Sequence, residues 1–301
     1  MNKNIKQKAR PFVKWAGGKT RVVPLMLDFF PEEFNRYYEP FLGGGALYFS
    51  ISPQNGCLND INCVLIEAYL HIRDDLEGII KDLNKIQRIY YSLDGIESKS
   101  KFYYEQREKF NSLNKTSLHR SALFIFLNKT GYNGMYRENA SGKFNIPFGK
   151  RLKPIICDSD NLTQVSNVLK QIDIKCGSYD KALKEAKSGD FIYFDPPYEP
   201  LNRTSSFTEY QAGGFVQDDQ RKLSKVFKKL SDKGCKVMMS NSTADLVYEL
   251  YDEYFINKIS VSRGINATKS KRDKIEELII TNYEPVRGAY TKAQQRLNDD
   301  R

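Results

Sequence analysis

Asp190-Phe191-Ile192-Tyr193-Phe194-Asp195-Pro196-Pro197-Tyr198 is the stretch on which the reading of this chain turns. The apolar run Phe191 to Phe194 has the composition of a buried strand. Two prolines follow, with fixed φ and no N–H, so the strand must stop there. A carboxylate, backbone carbonyls short of local donors and an aromatic ring are thereby gathered at one strand end. That set suits gripping a planar base through its exocyclic amine.

Working outward, Phe41-Leu42-Gly43-Gly44-Gly45 follows a strand-like Tyr37-Tyr38-Glu39-Pro40-Phe41 and precedes a helix-like run from Ala46 to Ser50. Gly43 and Gly45 allow a sharp turn and close backbone approach to a ligand. The dinucleotide fingerprint fails, because Leu47 and Tyr48 fill its later positions, and no Walker A pattern occurs. A plain strand-to-helix turn is the competing reading. Asn59-Asp60 ends the next strand candidate, Cys57 to Asp60. An acid there can accept both vicinal hydroxyls of a ribose, or it can cap the helix beginning at Ile61. Lys14-Trp15-Ala16-Gly17-Gly18-Lys19 holds the one tryptophan of the chain. Lys19 can meet an anionic group, and Trp15 can contact a small molecule or anchor the N-terminal segment. In Gly177-Ser178-Tyr179-Asp180, Tyr179 can cover an adenine ring and Ser178 bond its edge, or Ser178 can cap a helix.

Strand and helix patterns alternate up to about Arg73 and again from Ile172, the mark of an α/β sheet. Strands are expected at 172–176, 191–194, 236–240, 254–260 and 276–282, and helices at 179–187, 217–233 and 244–251. Between lies a segment with helical spacing, Leu76, Ile79, Ile80, Leu83 and Ile86, and further helices near 102–113 and 118–128. A Gly/Asn-rich stretch, 131–149, reads as a hairpin turning at Asn139-Ala140-Ser141-Gly142. The division expected is a discontinuous catalytic domain, 1–73 and 166–285, a recognition insert, 74–165, and a polar tail, 286–301. Residues 207–215, with Ala212-Gly213-Gly214, read as a mobile loop, and the tail as disordered.

Net charge sharpens the role of the insert. Of the +10 carried by 301 residues, Lys99 to Lys153 holds 12 Lys or Arg against three acids, a net of +9. Aromatic residues such as Phe102, Tyr103, Phe124, Phe126, Tyr132, Tyr136, Phe144 and Phe148 lie in the same block. The mixture points to nucleic acid rather than a membrane surface, and a Lys-rich solvated face is the plainer alternative. No long apolar run indicates a membrane span, and no apolar leader a secreted protein. Five scattered cysteines and two histidines argue against a zinc site or a disulfide framework and fit a reducing cytoplasm.

Taken in order, KWAGGK, EPFLGGGAL, ND, YNGMYR…GKFNIPFG, GSYDKAL and FIYFDPPY resemble the motifs of the Dam-type, D12-class N6-adenine DNA methyltransferases of the alpha group, over residues 10 to 284. The resemblance implies a Rossmann-like methyltransferase sheet and S-adenosylmethionine as methyl donor, with S-adenosylhomocysteine as product and no metal. It implies that Trp15, Lys19, Asp60 and Asp195 contact the cofactor or its immediate surroundings, and that Ser178 and Tyr179 lie near its adenine. Lys14 matches a residue reaching a guanine of the target. Tyr132, Asn133, Met135, Arg137 and Pro147 match the hairpin that enters duplex DNA, with GATC as the associated site. Met135 departs from the leucine usual in relatives. Asp195, Pro196 and Tyr198 are then the residues that grip a flipped adenine. Methylation of RNA or of cytosine N4 is the runner-up reading, and a non-catalytic DNA-binding protein the alternative of another class. A monomer acting on double-stranded DNA is expected, in the cytoplasm or, for a phage-encoded protein, the host cytoplasm. A cognate restriction endonuclease is a candidate partner.

Overall fold

The computed structural model describes residues 8–201, 215–262 and 274–288. The expected mobile loop, but for Phe215, and most of the expected polar tail lie outside the described residues.

Strands β1 (Tyr37–Glu39), β2 (Gly56–Asp60), β3 (Ile172–Cys176), β4 (Phe191–Phe194), β5 (Lys236–Asn241), β6 (Phe255–Ser262) and β7 (Lys274–Thr281) form one mixed sheet in the order β3-β2-β1-β4-β5-β7-β6. β1 runs parallel to β2 and β4, and β4 to β5, whereas β7 is antiparallel to β5 and β6. This is the α/β fold expected from the sequence. The order reverses at β1 and β4, and ligands of open α/β sheets bind at strand carboxyl ends at such a point. The carboxyl end of β4 is where Asp195 begins. Every residue of β4 is buried, as its unbroken apolar run requires of a central parallel strand.

The helices are α1 (Val23–Met26), α2 (Ala46–Ile51), α3 (Cys63–Asp74), α4 (Leu76–Ser92), α5 (Gly95–Ser112), α6 (Leu118–Thr130), α7 (Ser159–Leu169), α8 (Tyr179–Ala182), α9 (Gln217–Asp232) and α10 (Asp245–Leu250). The chain forms two compact units. One comprises Met1–Gly18, Gly43–Gln54 and Asp60–Gly177; the other comprises Lys19–Leu42, Asn55–Asn59 and Ser178–Arg301.

The first unit is mainly helical. Its centre is α6, buried on almost every side, as a helix apolar all round must be. Here one sequence expectation is corrected. Tyr103, Phe124, Phe126, Phe144 and Phe148 are core, not a nucleic-acid surface. Tyr103, Tyr90 and Phe102 pack around Phe126 at centroid separations of 5.6–6.3 Å. Lys99 and Arg120 of the basic block are buried as well, Arg120 over the Phe110 ring. The hairpin is also less regular than expected: it closes through isolated bridges, Gly131 with Phe148 and Glu138 with Phe144. Its turn is tied by the Asn139 carboxamide, which accepts from the backbone N–H groups of Ser141 and Lys143.

The same unit joins Cys63 to Cys176 in a disulfide, Cα atoms 5.4 Å apart. The sequence argued against a disulfide framework, and this one pair forms nonetheless. They stand 113 residues apart in the chain, and only the meeting of the end of β3 with the start of α3 brings them together. Cys57, Cys157 and Cys235 form no disulfide among the described residues.

In the second unit, Phe194, Leu223, Phe227, Val237, Met239, Val247 and Tyr251 form the centre of one apolar cluster. Helix α8 is shorter than the run to Lys187 expected for it. Leu183 leaves helical geometry at φ −92°, ψ 0°, and the chain then turns toward Gly189 at φ +82°. Among the described residues, no helix is long and apolar enough to cross a membrane.

Candidate active site and nucleic-acid interface

In the second unit, Asp195 is held from two sides. The Ser240 hydroxyl donates to its Oδ1 at 2.9 Å, and the Lys19 ammonium lies 3.0 Å from the same oxygen. Pairing of Phe194 with Met239 brings Ser240 to the level of Asp195. Ser240 has one proton, committed to Asp195, so the Tyr193 hydroxyl at 2.7 Å must donate to Ser240. Burial, with the nearby Asp195 charge, pushes the Tyr193 phenol well above its ordinary value and keeps it a donor.

Tyr198 is fixed at its far end, its hydroxyl donating to Glu277 Oε2 at 2.9 Å. Burial and then the Asp195 charge raise this phenol well above its ordinary value too. Lys19 lies 4.5 Å from the centre of the Tyr198 ring and 4.0 Å from Glu277 Oε2. The turn beyond is stitched by Gln220, which donates to the Pro197 carbonyl at 2.9 Å, and by Asn241, which donates to Gln220 and accepts the Glu199 and Ser242 N–H groups. These bonds leave Asp195 Oδ2 and the Pro196 carbonyl without a donor among the described residues. Two acceptors thus remain open at the strand end.

Ser178 and Tyr179 belong to this unit. Tyr179 stacks on Phe41, centroids 5.2 Å apart, and burial raises its phenol. Ser178 occupies the N-cap position of α8, but its side chain makes no capping bond to the helix. A bond from Ser178 holds the Asp180 carboxyl below its usual range instead.

In the first unit, Asp60 accepts the Gly43 N–H on Oδ2 at 2.8 Å and the Asn62 N–H on Oδ1 at 2.9 Å. The capping alternative for Asp60 does not hold, because the cap of α3 is Asn62, accepting from Leu65 N at 3.0 Å. Burial pushes the Asp60 carboxyl up, against the hydrogen bonds from Asn62, Gly43 and Ile61. Gly43 and Gly45 have φ of +49° and +67°, which the tight turn into α2 requires. An added Cβ on Gly43 would stand 2.8 Å from Trp15 Cδ1. Trp15 therefore lies over the glycine turn, and its ring stacks on Tyr136, 5.8 Å and 22° away.

Lys14 and the hairpin also meet in this unit. The Asn128 carboxamide accepts the Lys14 N–H at 2.9 Å and donates to the Lys14 and Gly134 carbonyls, each at 2.8 Å. Burial and then nearby Arg151 lower the Lys14 ammonium. Tyr132 N–H donates to the Pro147 carbonyl at 2.9 Å, and the Tyr132 side chain is 54% exposed. Asn133 takes a left-handed φ of 54° and is exposed, and Met135 is half-buried. Arg137 is exposed, and its Nε donates to Asn145 Oδ1 at 2.9 Å.

Ser240, Glu277, Gln220, Asn241 and Asn128 were not singled out from sequence. Strand register alone could have nominated Ser240. Glu277, on a strand antiparallel to β5, carries no local signal.

An α/β sheet whose strand ends in an open carboxylate and carbonyl, with a separate glycine turn braced by an acid, has the parts of an amino-group methyltransferase. Comparison with known proteins specifies the class: the family model of the D12 class N6 adenine-specific DNA methyltransferases matches residues 15–265, and the chain belongs to that family. It is 40% identical over 279 residues to the type II methyltransferase M1.LlaDCHI of Lactococcus lactis subsp. cremoris, covering 91% of this chain and 95% of that one. It is 41% identical to M.MjaIII of Methanocaldococcus jannaschii, over 91% and 99% of the two chains. The DNA adenine methylase of Escherichia coli K12 is 29% identical, over 93% and 97%. The chain is a site-specific adenine DNA methyltransferase, and the RNA, cytosine and non-catalytic alternatives give way.

Two substitutions test this geometry. Gly43→Ala is expected to cost about 1–3 kcal/mol in denaturant unfolding, through positive φ and the contact with Trp15. Asn128→Ala strands the Lys14 and Gly134 backbone groups. It is expected to cost about 1–3 kcal/mol and to weaken DNA binding in a gel-shift assay beyond that loss of folded protein.

Proposed function

We propose that the protein transfers a methyl group from S-adenosylmethionine to N6 of a flipped-out adenine in duplex DNA, within GATC. The observation that carries this reading is the pair of open acceptors, Asp195 Oδ2 and the Pro196 carbonyl, beside the fixed ring of Tyr198. An adenine amine has two N–H groups and needs two acceptors.

The lone pair of N6 is delocalised into its ring, so the nitrogen is a weak nucleophile. Hydrogen bonds from its two protons to Asp195 and Pro196 favour the pyramidal form and draw density onto the nitrogen. S-adenosylmethionine, when bound, supplies an electrophilic methyl group on a sulfonium. Transfer of that methyl group to N6 would break the C–S bond with its electron pair going to sulfur, and one N6 proton would pass to solvent, while Asp195 and the Pro196 carbonyl hold the nitrogen. Asp195 offsets the positive charge that grows on N6, and Tyr198 orients the base. Base extrusion costs a few kcal/mol, and the exposed Tyr132 is suited to filling the gap.

For the cofactor, the donor set of the first unit fits a nucleoside. Asp60 accepts from the backbone of Gly43, Asn62 and Ile61 and keeps acceptor capacity for a hydroxyl group. Trp15, Gly43 and Gly45 would line its approach, and the resemblance to the family assigns Ser178 and Tyr179 to its adenine. The Lys19 ammonium meets an anionic group of the protein itself, the Asp195 carboxylate.

Residues 74–165 act as the DNA-recognition insert in this reading. The Nε bond of Arg137 to Asn145 leaves its two terminal nitrogens for guanine O6 and N7. Lys14, Asn133, Met135 and Pro147 shape the same reading surface. The two relatives at 40% and 41% identity are named type II methyltransferases, which favours a modification role beside an endonuclease.

Asp195→Ala is expected to lower single-turnover transfer of tritiated methyl groups at least about 10²–10³-fold, with DNA binding kept. Near-normal turnover would sink the role of Asp195. Arg137→Ala is expected to lose about 1–3 kcal/mol of discrimination at one base pair. Mapping modified adenines in DNA from a methylation-free host expressing each protein checks both the site and this loss. Methylation confined to sequences other than GATC would refute the site.

A further inference from the structure

The charges around Asp195 do not balance as a simple ion pair would. Lys19 and Asp195 together are neutral, and a neutral pair does little for a cation growing on N6. Glu277 alters the sum. Its Oε2 lies 4.0 Å from the Lys19 ammonium and accepts the Tyr198 hydroxyl at 2.9 Å. Its side chain is only 13% exposed, and that of Lys19 7%. At such burial, charges separated by a few ångströms act strongly on one another. Glu39 lies in the same unit, its carboxylate taking the Tyr37 hydroxyl at 2.8 Å, and adds charge of the same sign.

We infer that Glu277 is a positioning residue for the reaction: it offsets Lys19, so that the Asp195 cluster keeps the net negative charge that favours methyl transfer. Lys19 then holds Asp195 in place without cancelling it. The inference rests on the reading of Asp195 as the adenine-gripping carboxylate. It assigns Glu277 a part in chemistry rather than in binding.

The Tyr198 bond alone would give Glu277 a different role, that of an anchor for the ring, and the two roles predict opposite rankings. Glu277→Gln keeps an acceptor for Tyr198 and removes the charge. Tyr198→Phe keeps the charge and removes the bond. Single-turnover methyl transfer, cofactor and DNA dissociation constants and melting temperature are measured for both, on a duplex that the wild-type protein methylates. E277Q is expected to lower the transfer rate roughly 10- to 100-fold, with both dissociation constants within about twofold of wild type. Y198F is expected to lose less. Equal rates for E277Q and wild type, or a larger loss in Y198F than in E277Q, would overturn the inference. If E277Q does not fold, E277D carries the test. Its rate is expected within about threefold of wild type, and a tenfold loss in folded E277D counts against the charge role. A wild-type protein that transfers no methyl group to adenine would fail the reading of Asp195 itself, and this inference with it.

Discussion

A carboxylate at the end of a fully buried strand is the constraint on which the second unit is built. Desolvating Asp195 is costly unless charge and hydrogen bonds compensate it. Lys19 supplies the charge and Ser240 the hydrogen bond, and both use Oδ1. Each compensation makes its own demand. A buried ammonium needs further acceptors and finds Glu277 and the Tyr198 ring. A serine whose proton is spent needs a donor and finds Tyr193. The shell closes around Oδ1 and leaves Oδ2 without a donor among the described residues, the oxygen that the proposed reading gives to the adenine amine.

The first unit follows the same rule with backbone groups in place of charges. The glycine turn before α2 leaves N–H groups that the helix cannot use. Asp60 takes one of them, and in doing so becomes a buried acid with lone pairs to spare. At the hairpin, Gly134 at positive φ cannot join a regular ladder, and its carbonyl goes to Asn128, which also clasps both polar groups of Lys14. Lys14 and the hairpin stand far apart in the chain, yet one amide side chain ties them.

Strand, turn and motif were legible in the sequence because they are local. Two prolines after an apolar run stop a strand whatever surrounds them, and β4 ends where that argument places it. Asp195, Asp60 and Gly43 could be named for the same reason. What failed was any inference needing the third dimension. The aromatic residues of the basic block were read by composition, but in α6 Phe124, Phe126 and Leu123 lie at spacings that bury nearly the whole circumference. Cys63 and Cys176 looked scattered because sequence separation hides a meeting of β3 and α3. Glu277 was invisible because it arrives on an antiparallel strand, across the sheet from the residue it serves.

Asp60 illustrates how structure decides between two local readings of equal merit. An Asp before a helix can cap it or can turn to a ligand. Here the helix begins at Cys63 and its cap is Asn62, which accepts from Leu65, so Asp60 stands outside the helix. Its oxygens instead span Asn62 and the glycine turn, where Gly43 lies 17 residues from Asp60 in sequence. A carboxylate used only to cap would gain nothing from that second bond, and burial already works against its charge. In the proposed reading, the hydroxyl groups of a ribose complete its shell and offset that cost.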